Sequence, residues 1–340
     1  MTAVMHQTDL PILLLYDLDR TCETPDLDEV LREVLQLASG LSALGHPVVS
    51  LEVSDAQFAC ALSRYDPGEH VVFNWCECLP GIARSDVLVA RTLSALGFTY
   101  TGSTAPTLAL SWDKARAKNR LERYGVPTPY ARVYRSTEPD GWDRFPAIVK
   151  PAMEHSSIGV TPESVVLTPQ ELHERVAYVI DAFREPALVE EFIDGRELHV
   201  SLLGNGEVRM LPPAEMDFSA FADVRDRLCS FDSKFKPGSR HYEQIQLRLP
   251  ASLDAETLER VEQAARRAYR ALHCRDYARL DLRLRDGVPY ILDVNPNADI
   301  TSSTSTALAA QLAGFSHAEL VSHLVSLAAL RHPTFAGHRF

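Results

Sequence analysis

Ala278-Arg279-Leu280-Asp281-Leu282-Arg283-Leu284-Arg285-Asp286-Gly287-Val288-Pro289-Tyr290-Ile291-Leu292-Asp293-Val294-Asn295 decides how the rest of the chain is read. Two aliphatic runs flank Asp286-Gly287, a pattern that specifies a β-hairpin. A two-residue turn pairs Arg285 with Val288 and sends Asp281 and Asp293 to opposite faces. A three-residue turn with Gly287 in the left-handed bulge position pairs Leu284 with Val288 instead. Leu280, Leu282, Leu284, Val288, Tyr290, Leu292 and Val294 then share one apolar face, so hydrophobic patterning selects the three-residue turn. The other face gathers Arg279, Asp281, Asp293 and Asn295 at one end, with Arg279 opposite Asp293 and Asp281 opposite Ile291.

Two carboxylates and an amide oxygen beside an arginine make a hard-oxygen site suited to Mg2+, which keeps water and phosphate oxygens as its other ligands. The same acids read equally well as a charged sheet face paired with Arg279 and Arg283, so the choice falls to the surrounding sequence.

Upstream, residues 253–272 carry Leu258, Val261, Ala264, Ala265, Ala268 and Leu272 on one helical stripe. Residues 216–242 are polar, contain Lys234, Lys236 and Gly238, and have little periodicity, which predicts a long loop of the kind that closes over a site. Residues 147–149, 187–193 and 196–203 read as strands, residues 169–183 as a helix, and Asn205-Gly206 as a turn. Lys150 ends an apolar strand and runs into Pro151-Ala152-Met153-Glu154-His155-Ser156-Ser157-Ile158-Gly159-Val160. Such a small-residue turn offers backbone N–H groups to phosphate oxygens while the lysine supplies a point charge. An exposed turn beside a snorkelling lysine is the plainer alternative, and neither a Walker loop nor a dinucleotide fingerprint occurs. Residues 189–197, with Glu190, Glu191, Phe192 and Ile193, form an extended segment able to offer backbone groups to an adenine edge, and Glu197 a carboxylate to ribose hydroxyls. An acidic surface hairpin would have the same composition.

Residues 1–111 alternate strands (12–16, 47–53, 71–75) with helices (27–44, 87–96), a βαβ arrangement. Ser111 is placed to cap a helix over residues 112–124 that Gly125 ends, and Pro127 and Pro129 then force an extended exit. The boundaries that follow are an N-terminal α/β substrate domain over 1–111, a central part over 112–197 and a C-terminal, metal-binding part over 198–340.

The chain has 340 residues, 46% hydrophobic and 24% charged, which is globular composition, and its 34 Lys plus Arg against 46 Asp plus Glu leave a net charge of −12. That field disfavours a nucleic-acid partner. Cys22, Cys60, Cys76, Cys78, Cys229 and Cys274 show no zinc or disulfide spacing, and residues 10–15 read as a strand rather than a leader, so the expected setting is cytoplasmic with no membrane partner.

Taken in order, Tyr100-Thr101-Gly102-Ser103, Trp112-Asp113-Lys114, Gly125-Val126-Pro127-Thr128-Pro129, residues 145–159, residues 190–197, Arg279-Leu280-Asp281 and Asp293-Val294-Asn295-Pro296-Asn297 resemble the ATP-grasp superfamily, most closely its D-alanine:D-alanine ligase branch. The resemblance implies an α/β (α+β) ATP-grasp fold, with a βαβ domain ahead of two α+β subdomains that clasp ATP. It implies that Lys114 and Lys150 hold phosphates, that Ser156, Ser157 and Gly159 cover them, and that Glu190, Glu191, Phe192, Ile193, Glu197 and Leu292 receive the nucleoside. Asp281, Asp293 and Asn295 are implied as ligands of two Mg2+ ions, for which Mn2+ can substitute. Arg279, Ser156 and Lys234 are implied at the reacting centre, Lys234 on the mobile loop. A solvated helix face shared with Lys118 is the alternative for Lys114, and a loop filler is the simplest role for His155.

The implied activity is ATP-dependent joining of a carboxylate to an amine through an acyl phosphate, on small-molecule substrates, in a possible homodimer. Three departures point away from two D-alanines: residues 13–20 lack the family's glycine turn and early glutamate, position 293 is Asp rather than Glu, and Ala298-Asp299 replaces Pro-Gly. The hydroxyls at 301–306 are placed either to bind a substrate carboxylate or to cap a helix. A phosphotransferase and a non-catalytic nucleotide-binding module are the rival readings.

Overall fold

The computed structural model describes residues 9–18, 24–54, 58–76, 79 and 81–336. Asp19, Arg20, Cys22 and Cys78 lie outside the described residues.

The first sheet is parallel, with Ile12–Asp17 between Val48–Val53 and Val71–Trp75, and Thr99–Tyr100 at the edge. Ile12–Asp17 is apolar at nearly every position because both of its faces are covered. Ile12 and Leu14 face helices Thr24–Ala43 and His317–Ala329, whereas Leu13 and Leu15 face Phe58–Leu62 and Ser85–Ala95. The C-terminal helices Ser305–Leu312 and His317–Ala329 thus return to the first sheet.

Helix Ala105–Trp112 ends at Asp113, and a second helix, Lys114–Arg123, starts there. The single helix expected over residues 112–124 is therefore corrected. Asp113, not Ser111, is its cap, accepting the Arg116 N–H at 3.0 Å. Ser111 lies inside the preceding helix and donates its hydroxyl to the Leu108 carbonyl.

A four-stranded antiparallel sheet follows, Ala131–Tyr134, Ala187–Glu191, Ala147–Pro151 and Val165–Val166 in spatial order, backed by helix Pro169–Phe183. The third sheet has six strands, and its centre is Arg196–Leu203 beside Tyr277–Arg285 and Val288–Asn295. Val261, Ala265, Ala268 and Leu272 from helix Ala255–Ala271 and its end pack under Leu198, Val200, Leu280 and Leu282. Residues 216–242 are not one structureless loop. They hold a 3-10 turn, Val224–Asp226, and two short helices, Phe231–Phe235 and Arg240–Gln244, with Ser230 and Ser239 as caps.

The hairpin differs from expectation in an instructive way. The turn is the two-residue one, with Arg285 opposite Val288 and with φ 52° at Asp286 and 73° at Gly287, the pair of positive angles a primed turn needs. Leu282 faces Ile291, but the next pair is Asp281 with Asp293, so Leu292 is an extra residue in a β-bulge. Arg279 accordingly stands opposite Asn295, not Asp293. The apolar face is Leu280, Leu282, Leu284, Pro289, Ile291 and Val294, while Val288, Tyr290 and Leu292 are only half-buried. Backbone groups freed by the bulge find partners outside the ladder: the Ile291 N–H donates to the Pro127 carbonyl at 2.9 Å, and its carbonyl accepts the Thr128 hydroxyl at 2.8 Å. The bulge shifts the inward pattern from odd to even residues, so both acids share a face without a three-residue turn.

Candidate active site

A cleft opens between the second and third sheets. Its lining includes Lys114, Lys150, Ser156, Ser157, Glu190 to Ile193, Glu197, Lys234, Asp281, Leu292 and Asp293. The sequence motifs that lie more than a hundred residues apart thus meet at one place.

The positive side starts at the first turn of Lys114–Arg123. Lys114 is buried, not on a solvated face, and its Nζ lies 2.7 Å from Asp293 Oδ2. One turn on, Lys118 is also buried; it donates to Thr128 Oγ1 at 2.7 Å and pairs with Glu190 Oε1. Lys150, in Ala147–Pro151, reaches Glu190 Oε2 at 2.5 Å. One carboxylate therefore stands between two ammonium groups. Burial and the nearby Lys114 ammonium lower Lys150 to about 8, and burial with the Lys150 charge pushes Lys118 well down.

Ser156 and Ser157 have φ 56° and 61°, consecutive left-handed residues of a kind found where surrounding structure enforces a functional turn. Gly159 completes the loop at φ 74°, where a Cβ would come 2.7 Å from the Phe183 ring and 2.9 Å from Pro151. His155 packs edge-on to Trp112 with centroids 4.1 Å apart, and burial lowers it to about 4, so it stays neutral. The Ser157 hydroxyl donates to the Cys229 carbonyl at 2.9 Å, and the Phe231 N–H to the Val160 carbonyl at 3.3 Å. These bonds bring the helix carrying Lys234 over the phosphate-loop candidate.

On the nucleoside side, the N–H groups of Glu191 and Phe192 are already donated to the Tyr130 and Pro146 carbonyls at 2.9 Å each. The Glu191 carboxylate pairs with Arg285 at 2.6 Å. Arg283 is almost fully buried and holds Glu197 Oε2 at 2.8 Å and the Ile193 carbonyl at 2.9 Å, with its guanidinium 4.5 Å from the Phe192 ring centre.

At the far end, Arg279 grips Asp281 with two bonds of 2.7 and 3.0 Å, and the Asn295 amide donates to Asp281 Oδ2 at 3.2 Å. Burial raises the pKa of both aspartates, but Arg279 overrides it at Asp281, and Lys114 holds Asp293 down to about 2. Two ionised carboxylates opposite one another, with an amide oxygen alongside, fit a hard divalent cation such as Mg2+.

Lys118, Thr128, Arg283, His199 and Cys229 were not singled out by sequence as parts of this site. Lys118 carried a signal, the i,i+4 spacing from Lys114 that puts both on one helix face. Arg283 carried another, the i+2 spacing from Asp281 along one strand face. Within the hydroxyl run, Thr304 caps helix Ser305–Leu312 by accepting the Ala307 N–H, while Ser302 donates to Glu33 at 2.9 Å.

A family model described as D-ala D-ala ligase C-terminus matches residues 134–326. The protein y4sG of Sinorhizobium fredii is 32% identical over 304 residues, covering 87% of each chain. The D-alanine–D-alanine ligase of Desulforudis audaxviator is 33% identical over 305 residues, covering 88% of this chain and 93% of its own. A solved structure of D-alanine–D-alanine ligase from Bacillus anthracis, complexed with ATP, has the same fold with a TM-score of 0.72 at 22% identity, covering 95% of this chain and 98% of that one. Fold and relatives together define an ATP-grasp enzyme that forms carbon–nitrogen bonds. The chain belongs to the D-alanine–D-alanine ligase family. None of its described helices is long and apolar enough to cross a membrane.

Proposed function

We propose that this chain uses ATP to join an amino-acid-like carboxylate to an amine, on a substrate pair other than two D-alanines. The observation that carries the nucleotide part is the convergence of Lys114, Lys150 and Lys234 with Asp281 and Asp293 on one cleft. The substrate part rests on the N-terminal edge, where Leu14-Leu15-Tyr16-Asp17-Leu18 follows without glycine, and on Asp299 past the metal-ligand candidates.

In this reading a carboxylate oxygen of the first substrate attacks the γ-phosphorus, the bond to ADP breaks, and an acyl phosphate forms. Lys114, Lys150 and Lys234 offset charge on the transferring phosphoryl group. Asp281, Asp293 and Asn295 would hold Mg2+, which would supply further positive charge at the phosphates, two ions being the proposed complement and Mn2+ an acceptable substitute. Ser156, Ser157 and Gly159 cover the phosphates; Glu190, Ile193 and Leu292 border the base, and Glu197 takes the ribose. The amine then attacks the acyl carbon, Arg279 stabilises the oxyanion, and phosphate leaves as the amine sheds its proton. The Lys234 segment, latched to Ser157, keeps water from the acyl phosphate.

The test is Mg-ATP turnover with pooled amino acids and simple amines, followed by mass spectrometry. ADP, phosphate and a product of mass acid plus amine less water are expected. A phosphorylated substrate as the sole product would replace the ligase reading with a phosphotransferase, and product from D-alanine alone would overturn the substrate assignment.

A further inference from the structure

Glu197 and His199 lie two residues apart on Arg196–Leu203 and therefore point to the same side of the sheet. The segment that leads into Phe231–Phe235 brings Cys229 over them. A carboxylate oxygen, an imidazole nitrogen and the thiol sulfur all lie within 4.8 Å of one another, and Glu197 and His199 are 5% and 8% exposed. The proposed ligase chemistry gives no task to His199 or Cys229.

We propose that Glu197, His199 and Cys229 form a binding site for a thiophilic divalent cation such as Zn2+, filled in competition with the nucleoside end of the nucleotide. A thiolate, an imidazole and a carboxylate make up a zinc donor set with one position left open, unlike the all-oxygen set at Asp281, Asp293 and Asn295. The supporting shell is present. His199 Nδ1 lies 3.1 Å from Ser305 Oγ, a hydrogen bond that fixes the ring, and Nε2 faces inward, 3.9 Å from Asp281 Oδ1. Arg283 holds Glu197 Oε2 at 2.8 Å and so orients the carboxylate, which also hydrogen-bonds the Cys229 thiol. Binding exchanges a proton for the cation: the Cys229 S–H bond breaks, the proton goes to solvent, and a sulfur–metal bond forms with no change of oxidation state. Glu197, His199 and Cys229 all line the nucleotide cleft, so ion and nucleoside exclude each other. The competition rests on the nucleotide reading above; the metal site does not.

Co2+ added to the chelator-treated full chain is the probe, because a cobalt–thiolate bond gives an intense near-ultraviolet charge-transfer band. The expected result is a band that saturates at one equivalent, is displaced by Zn2+ and fades as adenosine is added. Cys229→Ser should abolish the band, His199→Gln should weaken or abolish it, and Ser305→Ala should loosen Co2+ by about 10- to 100-fold. No band in the wild type, or an undiminished band in Cys229→Ser, overturns the site. A band that survives saturating adenosine overturns the competition, whatever the outcome of the turnover assay.

Discussion

The Ser157 hydroxyl donates to the Cys229 carbonyl at 2.9 Å, tying the turn after Lys150 to the segment that carries Lys234. Ser157 holds φ 61°, so its hydroxyl is aimed by a backbone conformation that costs energy. A neutral hydrogen bond of this kind contributes about 1 kcal/mol, roughly a fivefold bias toward the latched arrangement. Ser157→Ala keeps the turn and removes the latch. The expected outcome is more phosphate released per amide formed, by about that fivefold factor, with the melting temperature little changed. Equal stoichiometry in variant and wild type would remove the latch from the account of water exclusion.

Asp293→Asn replaces the carboxylate that meets both Lys114 and the proposed Mg2+. Its Oδ2 is 2.7 Å from Lys114 Nζ, and the hairpin ladder sets it opposite Asp281. An isosteric amide preserves packing, so the variant should fold and still lose turnover by about 100- to 1,000-fold, in the range of other lost transition-state contacts. Initial rates of ADP release, with a thermal melt as control, check it; wild-type rates would withdraw Asp293 from the site.

Arg279→Ala should separate the two half-reactions. Arg279 makes a bidentate pair with Asp281, beside Asn295. Amide formation is expected to slow by about 100-fold or more while ATP affinity changes far less. Rapid-quench measurement of ADP against amide distinguishes the steps. A collapse of ATP affinity would instead make Arg279 a phosphate-holding group.

The hairpin shows what the sequence could and could not reveal. Apolar alternation located both strands, and the shared face of Asp281 and Asp293 was legible, but neither their direct pairing nor its cause was. Alternation alone left a three-residue turn as the route to a shared face. The protein uses a two-residue turn with Leu292 bulged, stabilised by Pro127 and Thr128 from a distant segment that local pattern cannot register. Likewise, the spacing of Lys114 and Lys118 hinted at a common face. Whether that face met solvent or Glu190 depended on how the second and third sheets close, a non-local fact. The break at Asp113 was hidden because Ser111 and Asp113 are both good caps two residues apart.

Lys150 and Lys118 share Glu190, and the buried surroundings of Lys150 set a pH dependence. Burial first, and the nearby Lys114 ammonium second, lower Lys150 to about 8 although Glu190 is bonded to it. A lysine is charged below its pKa and loses the charge as pH rises through it. Affinity of the nucleotide-free protein for ATP should therefore be full at neutral pH and decline as pH passes about 8. Each further unit leaves about a tenth as much charged lysine. Lys114→Met removes the neighbouring ammonium and should move the decline to higher pH, whereas Glu190→Gln removes the carboxylate bonded to Lys150 and should move it lower. Isothermal titration of ATP from neutral pH to about two units above it measures all three. A flat wild-type profile, or a shift in the same direction for both variants, would mean that this carboxylate does not govern the Lys150 charge.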